Sequence, residues 1–192
     1  MNIDKVHLFC LKAAIIEGAL HNLNDRGIRI KAKRRSEEER LVMRDFVPQF
    51  SSEGRISASE MARYYEIFYA LENHIRQLIL VAFDSENNTD WWKAVPKDIR
   101  DRAESAQAKE LNRAVTLRSE QLLEYTTFGE LGQIISANWE IFASIFKSRK
   151  ALEDVTARLN MLRGPIAHNG VLERDEVVRL MLSIRDLFRL MA

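Results

Sequence analysis

The chain has 192 residues, of which 46% are hydrophobic, and a formal net charge of +1 at pH 7. This length and apolar content suffice for one domain with a buried core. The near-neutral charge excludes nucleic-acid binding through a general basic field, so any such contact needs a local patch. The single cysteine, Cys10, excludes an internal disulfide and a cysteine-rich zinc site.

The residue types predict an all-α fold. Seven Gly and three Pro are few for a β protein, and long runs of Ala, Leu, Glu, Lys and Arg favour helices. No stretch approaches 18 uncharged apolar residues, which predicts that nothing spans a membrane. Asp4 and Lys12 make the N-terminus a poor signal peptide. We therefore expect a cytoplasmic protein.

Residues 1–56 are predicted to form an N-terminal helix and a charged connector. Apolar residues recur at helical spacing from Asn2 to about Asn24. A basic run follows from Arg26 to Arg35, and then three glutamates. A solvated linker is one interpretation of this run, and a segment that contacts RNA phosphates is the other. A short helix is expected from Leu41 to Phe46.

A second domain is predicted over residues 57–192. It begins at the capping box Ser57-Ala58-Ser59-Glu60. Behind the box, apolar residues in alternating steps of three and four predict the seam of a long central helix that ends near Phe83. The seam consists of Met61, Tyr64, Phe68, Leu71, Ile75, Leu78 and Ala82.

Two further groups of residues lie on this helix. Tyr65, Ile67 and Tyr69 are expected to widen its apolar surface. Glu72 and Arg76 are four residues apart, a spacing that favours a surface ion pair.

The middle of the chain carries two adjacent tryptophans, Trp91 and Trp92, which either anchor a loop on the core or stack on bases. A charged helix is predicted from Pro96 to about Arg113. A second capping box, Thr127-Phe128-Gly129-Glu130, opens the next helix, and Asn138 is expected to restart it.

Two helices complete the chain. One spans Leu152 to Leu162 and leads to Arg163, and the other runs from about Glu173 to Met191. The last helix carries more apolar residues than one stripe needs, including Val178 and Leu182. This excess predicts that it is wrapped by the bundle or packs against a second copy.

The stretch Arg163-Gly164-Pro165-Ile166-Ala167-His168 joins these two helices. On an unbroken helix the Arg and His side chains would point about 140° apart. Gly164 and Pro165 predict a break that could bring them to one surface, and Asn169-Gly170 predicts a closing turn. A guanidinium that holds phosphate beside an imidazole that moves protons suits phosphodiester chemistry. The alternative is a capping arginine and a packed histidine.

This order of predicted helices and motifs resembles that of the HEPN superfamily, whose members are all-α domains of RNA-processing, toxin and abortive-infection proteins. Its signature is an arginine, four to six residues and a histidine before the last long helix, as at Arg163 and His168. The stretches YEIFYALENHIRQLI, from Tyr65, and YTTFGELGQIISANWEIF, from Tyr125, resemble its RNA-surveillance and defence branch. The resemblance implies a HEPN-like helical bundle with an additional N-terminal helix.

The resemblance also implies a metal-independent endoribonuclease that uses no cofactor and cleaves RNA by 2′-OH transesterification. His168 would be the general base or acid, and Arg163 would stabilise the charged phosphate. Asn169, Glu72 and Arg76 would be supporting residues. In the family the site is composite, which implies a homodimer through the last helix and the Arg163–His168 junction.

Two functions remain open. The first is a toxin or anti-phage defence nuclease, with an antitoxin or regulatory protein as a further partner. The second is a non-catalytic HEPN-like dimerisation, sensor or RNA-binding module. Gly164 favours the second, because many catalytic members of the family carry a polar residue after the arginine.

Overall fold

The computed structural model of the chain describes residues 37–86, 90–113 and 116–191. The predicted first helix, Asn2 to Asn24, and the basic run, Arg26 to Arg35, lie outside these residues. Of these residues, 37–63 belong to one compact unit and those from 64 onwards to a second, larger one.

Most of the described residues are helical and none forms a named strand, which confirms the all-α fold. Seven α-helices occur among them: α1 Glu37–Asp45, α2 Ser52–Ser85, α3 Lys97–Asn112, α4 Phe128–Ala137, α5 Trp139–Phe142, α6 Arg149–Ala167 and α7 Arg174–Leu190. Three 3-10 turns lie between them, at Val47–Gln49, Trp91–Ala94 and Leu122–Tyr125. Within the described ranges, no helix is long and apolar enough to cross a membrane.

Helix α2 begins at Ser52, five residues before the predicted capping box at Ser57. The backbone N–H of Gly54 donates to Oγ of Ser51 at 3.1 Å, so Ser51 supplies the capping oxygen instead. The prediction was wrong because a capping box at Ser57 is also a good helix interior. A single glycine before it costs only about 1 kcal/mol.

Most of the predicted seam of α2 forms part of the core of the larger unit. Phe68, Leu71, Ile75, Leu78 and Ala82 are all buried, whereas Met61 and Tyr64 are only half-buried. The ring of Phe68 meets that of Phe128 edge-on at 6.0 Å, and Phe83 meets Phe142 in the same way at 5.9 Å. Aromatic contacts of this geometry add about 0.5–1.5 kcal/mol beyond the area they bury. They join α2 to α4 and α5.

Three side chains predicted to widen this core are exposed instead. Tyr65 and Tyr69 have 60% and 63% of their surface open to solvent, and Ile67 has 39%. The prediction was wrong because the buried face of α2 widens only towards its C-terminal end, where Arg76, Ile79 and Phe83, each one position after a seam residue, are buried. The turns that carry Tyr65, Ile67 and Tyr69 bury only the seam residue Phe68.

The two tryptophans anchor a loop, which was one of the two predictions for them. Trp91 stacks on Phe83 with ring centroids 5.0 Å apart. Trp92 meets Trp91 edge-on, and its indole N–H donates to Glu104 of α3 at 3.1 Å. The stretch before α3 is thereby fixed to α2.

Helices α4 and α6 cross closely because glycine faces threonine. A Cβ atom on Gly132 would stand 3.0 Å from Oγ1 of Thr156 and 3.1 Å from its Cβ, too close without a shift. The predicted capping box at the start of α4 is present, with the Glu130 carboxylate accepting from the backbone N–H of Thr127 at 2.7 Å. Asn138 separates α4 from α5, as expected.

The last helix packs on α6 through a narrow face. Leu180, Ser183 and Leu187 are buried. Its C-terminal end is tied to the start of α6, because the N–H of Lys147 donates to the carbonyl of Leu190 at 2.9 Å. Val178, Met181 and Leu182 remain at least half exposed. Within the described residues, the bundle therefore does not wrap this helix.

Replacing Phe68 with Ala should lower the free energy of unfolding by about 3–5 kcal/mol, because the side chain is only 3% exposed. Urea denaturation followed by circular dichroism measures the loss. Ile67→Ala, on the adjacent exposed position, serves as the control and should change stability by less than about 1 kcal/mol. Equal losses in the two variants would show that the buried face of α2 is assigned incorrectly.

Candidate functional site

Helix α6 does not end at Arg163, as the Gly-Pro pair predicted, but continues to Ala167. The prediction was wrong because Pro165 lies in the last turn, where its main effect is to remove one backbone hydrogen-bond donor from the helix. Leu162 and Ile166, four residues apart, are both buried and hold this turn against the core. Gly164 is helical, and a Cβ atom there would meet no other residue within 4 Å.

The helix closes at Asn169 and Gly170, as predicted. His168 is the capping residue, and its N–H donates to the carbonyl of Gly164 at 3.1 Å. Asn169 adopts a left-handed conformation with φ of 60°. The N–H of Gly170 then donates to the carbonyl of Pro165 at 2.7 Å, which is the hydrogen bond of a Schellman-type ending. Asn169 therefore has a structural task, and its contact with phosphate stays a prediction.

Arg163 and His168 consequently stand on different sides of the helix end. Five residues of continuous helix separate their directions by about 140°. Arg163 is half-buried, whereas His168 is exposed. The break that was expected to bring them to one surface is absent.

The structure brings Arg163 together with Glu72 and Arg76. One oxygen of Glu72, Oε1, lies 2.5 Å from Nη2 of Arg76, and the other, Oε2, lies 3.3 Å from Nε of Arg163. The Glu72 and Arg76 side chains are only 13% and 8% exposed. The predicted surface pair is therefore a half-buried carboxylate shared by two guanidinium groups.

Arg76 has further partners in the turn that precedes α4. Its Nη2 donates to the carbonyl of Thr126 at 3.0 Å, and its Nε donates to that of Leu123 at 3.4 Å. The carboxylate of Glu124 lies 3.6 Å from the same Nε. A buried charge needs such compensation, because transfer of a lone ion out of water is costly. Arg76 thus joins α2 to this turn.

Glu72, Arg76 and Arg163 line an open cleft of about 460 Å³, which we call the arginine cleft. His168 does not line it. Nε is the atom of Arg163 that contacts Glu72, and neither terminal nitrogen has a partner among the described residues. A guanidinium with two unused nitrogens can hold two oxygens of a phosphate. The residues of the cleft that matter below are Tyr65, Tyr69, Glu72, Arg76, Arg118 and Arg163.

Arg118 is held at the edge of the arginine cleft by Glu110 and Tyr125. Its Nε donates to Glu110 at 2.7 Å, and its guanidinium carbon lies 4.8 Å from the centre of the Tyr125 ring. The Tyr125 hydroxyl donates to Glu110 at 2.9 Å. The hydrogen bond from Arg118 lowers the pKa of Glu110, and burial raises the pKa of Tyr125. Both shifts favour an ionised Glu110 and a protonated Tyr125 hydroxyl at neutral pH, which are the states that this contact requires.

Residue patterns alone did not indicate several features of this site. The Glu72–Arg163 contact joins residues 91 positions apart, and no local spacing signals it. Arg118 lies in an irregular stretch without a motif. Within the described residues, no group of three or more His, Cys, Asp or Glu could hold a metal ion.

A family model described as Swt1-like HEPN matches residues 66–192, two thirds of the chain. The matched segment contains α3 to α7, most of α2 and every residue of the arginine cleft except Tyr65. No curated protein and no solved structure matches the chain.

Replacing Glu72 with Ala should lower the free energy of unfolding by about 3 kcal/mol or more, because the buried Arg76 loses its nearest counter-charge. Thermal denaturation measures the loss. Asp175→Ala, which removes an exposed ion pair with Arg179, is the control and should cost less than about 1 kcal/mol. A loss no larger than that of the control would mean that the two backbone carbonyls alone compensate the buried charge of Arg76.

Proposed function

The chain belongs to the Swt1-like HEPN family, and from this premise we propose that it is a metal-independent endoribonuclease with Arg163 and His168 as its catalytic residues. The observation that carries the proposal is the state of Arg163. One carboxylate fixes its Nε, and its two terminal nitrogens stay available at the arginine cleft. This is a pre-oriented site for one phosphate group.

Glu72 and Arg76 support this site by fixing the guanidinium. Arg163 is one-third exposed, so its long side chain would lose rotamer freedom on binding phosphate. Because the contact with Glu72 already restricts the Arg163 side chain, less rotamer freedom remains to be lost when phosphate binds. Arg76 in turn holds the Glu72 carboxylate in place through the 2.5 Å contact. The three residues act as one positioned unit.

The proposed reaction is an in-line transesterification on RNA. The ribose 2′-oxygen bonds to the adjacent phosphorus, and the bond from phosphorus to the 5′-oxygen of the next nucleotide breaks. An imidazole accepts the proton of the 2′-hydroxyl, and an imidazolium returns a proton to the leaving 5′-oxygen. Arg163 stabilises the charge that develops on the phosphate oxygens. The products are a 2′,3′-cyclic phosphate and a 5′-hydroxyl.

The geometry favours a site shared by two copies. Because His168 and Arg163 diverge by about 140°, an imidazole from a second chain is better placed to face the guanidinium. Two-fold symmetry would also provide both the base and the acid. A surface for this contact exists on α7, where Val178, Met181 and Leu182 are 55%, 59% and 50% exposed. Their spacing of three and four residues puts them on one face.

A non-catalytic dimerisation, sensor or RNA-binding module is the second candidate, and Gly164 favours it. The position after Arg163 has open space, so a polar side chain would fit there, yet glycine occupies it. A defence or toxin role, with an antitoxin or regulatory partner, belongs to the nuclease proposal.

His168→Ala and Arg163→Ala should each reduce RNA cleavage by about a thousandfold or more, because both groups act in the transition state. His168 is exposed, so its loss should change the melting temperature by less than about 2 °C. Arg163→Ala also removes one of the two guanidinium partners of Glu72 and should lower the melting temperature by more than this. Arg163→Lys should also lose most activity, because an ammonium cannot reproduce the two-nitrogen contact. Gel analysis of a labelled RNA with EDTA present measures the rate.

An RNA with a single 2′-deoxy nucleotide at the cleaved position is the substrate control. It should resist cleavage, because the attacking hydroxyl is absent. Cleavage of this RNA would exclude the proposed reaction even if both substitutions abolish activity.

Met181→Asp should convert a homodimer into a monomer and abolish cleavage with it, because it puts a charge into the apolar face of α7. Light scattering should give twice the 22.3 kDa chain mass for the wild type and the single mass for the variant. Ala108→Asp, at an exposed position of α3, is the matched control and should stay dimeric and active. A monomeric wild type that still cleaves RNA would exclude the shared site.

A further inference from the structure

Two exposed tyrosines line the arginine cleft together with Arg163. Tyr65 and Tyr69 stand one turn apart on α2, with ring centroids 6.2 Å apart. About 60% of each side chain faces solvent, and both line the arginine cleft. Neither hydroxyl has a hydrogen-bond partner among the described residues. The core of the larger unit therefore does not account for them.

The arginine cleft also contains the guanidinium groups of Arg76, Arg118 and Arg163, the carboxylates of Glu72 and Glu124, and the amide of Asn73. Both carboxylates contact Arg76, and Arg118 and Arg163 contribute two further guanidinium groups. The amide nitrogen of Asn73 donates to the carbonyl of Tyr69 at 2.8 Å, which fixes that side chain one turn beyond the second ring. Flat aromatic faces beside guanidinium groups are the combination that binds single-stranded nucleic acid. Arginine contacts the backbone, and the rings stack on bases.

We propose that Tyr65 and Tyr69 form a nucleobase-stacking subsite for single-stranded RNA, next to the phosphate held by Arg163. The proposal rests on the proposed function, because Arg163 is taken as the phosphate-binding residue. Stacking on a tyrosine requires a base that is free on one face. In an A-form duplex the bases are stacked on each other and lie out of reach of side chains.

The subsite therefore selects unpaired RNA without reading its sequence. Every base has an aromatic face, so stacking is tolerant of base identity. A ribonuclease built this way cuts in loops, bulges and single-stranded tails, and it leaves helical stems intact.

The test measures binding without cleavage. Fluorescence anisotropy with a labelled 12-nucleotide single-stranded RNA gives Kd in a His168→Ala background, which prevents turnover. The double substitution Tyr65→Ala and Tyr69→Ala should raise Kd at least about fivefold, the effect of losing one stacked base. Tyr65→Phe with Tyr69→Phe should bind as tightly as the parent, because the ring faces remain.

Two controls sharpen the result. Ile67→Ala changes an exposed residue between the two tyrosines that does not line the cleft, and it should leave Kd unchanged. A 12-base-pair RNA duplex should bind more weakly than the single strand, and the alanine substitutions should not weaken it further.

Several outcomes would overturn the subsite. Unchanged single-strand affinity in the alanine variant would do so, and so would phenylalanine variants as weak as alanine. A change of mass in light scattering with unchanged affinity would assign the tyrosines to a contact between copies. The two proposals fail separately. Tyrosine-dependent binding without any cleavage by the wild type sinks the nuclease alone, and normal binding by the alanine variant of a cleaving protein sinks the subsite alone.

Discussion

The buried charge of Arg76 is the constraint on which the site depends. A guanidinium at 8% exposure must be surrounded by acceptors, or it destabilises the fold. Its acceptors come from α2 itself and from the turn before α4, so those parts are fixed relative to one another. Glu72 is the nearest of these acceptors, and its second carboxylate oxygen accepts a hydrogen bond from Arg163 of α6. The orientation of Arg163, the proposed catalytic arginine, is thus a by-product of compensating the buried charge of Arg76.

Sequence patterns predicted the parts of the fold that depend on local chemistry. The seam from Phe68 to Ala82, the capping box at Thr127 and the turn at Asn169-Gly170 were all found as expected. Each needs only the residues within one or two turns of itself. The pattern of the last helix was also right in extent, from about Glu173 to Met191.

The incorrect predictions concern features that depend on residues far apart in the sequence. Gly164 and Pro165 favour a helix break locally, but burial of Leu162 and Ile166 against other helices keeps the helix intact. Glu72 and Arg76 look like a surface pair until the turn at Leu122–Tyr125 and Arg163 cover them. Periodicity states which side chains share a face, and it does not state what lies opposite that face.

The burial of the Glu72 carboxylate has a consequence for how ionic strength acts on this protein. Salt screens charges in water strongly and half-buried pairs much less, so the arrangement around Arg163 persists in concentrated salt. The proposed binding of an RNA phosphate should behave in the opposite way, because it releases counterions from RNA and weakens steeply as salt rises. In the proposed complex, the geometry of the guanidinium and its affinity for RNA therefore respond to different variables. A loss of RNA affinity at high salt would report the number of phosphates in contact and not a change in the shape of the site.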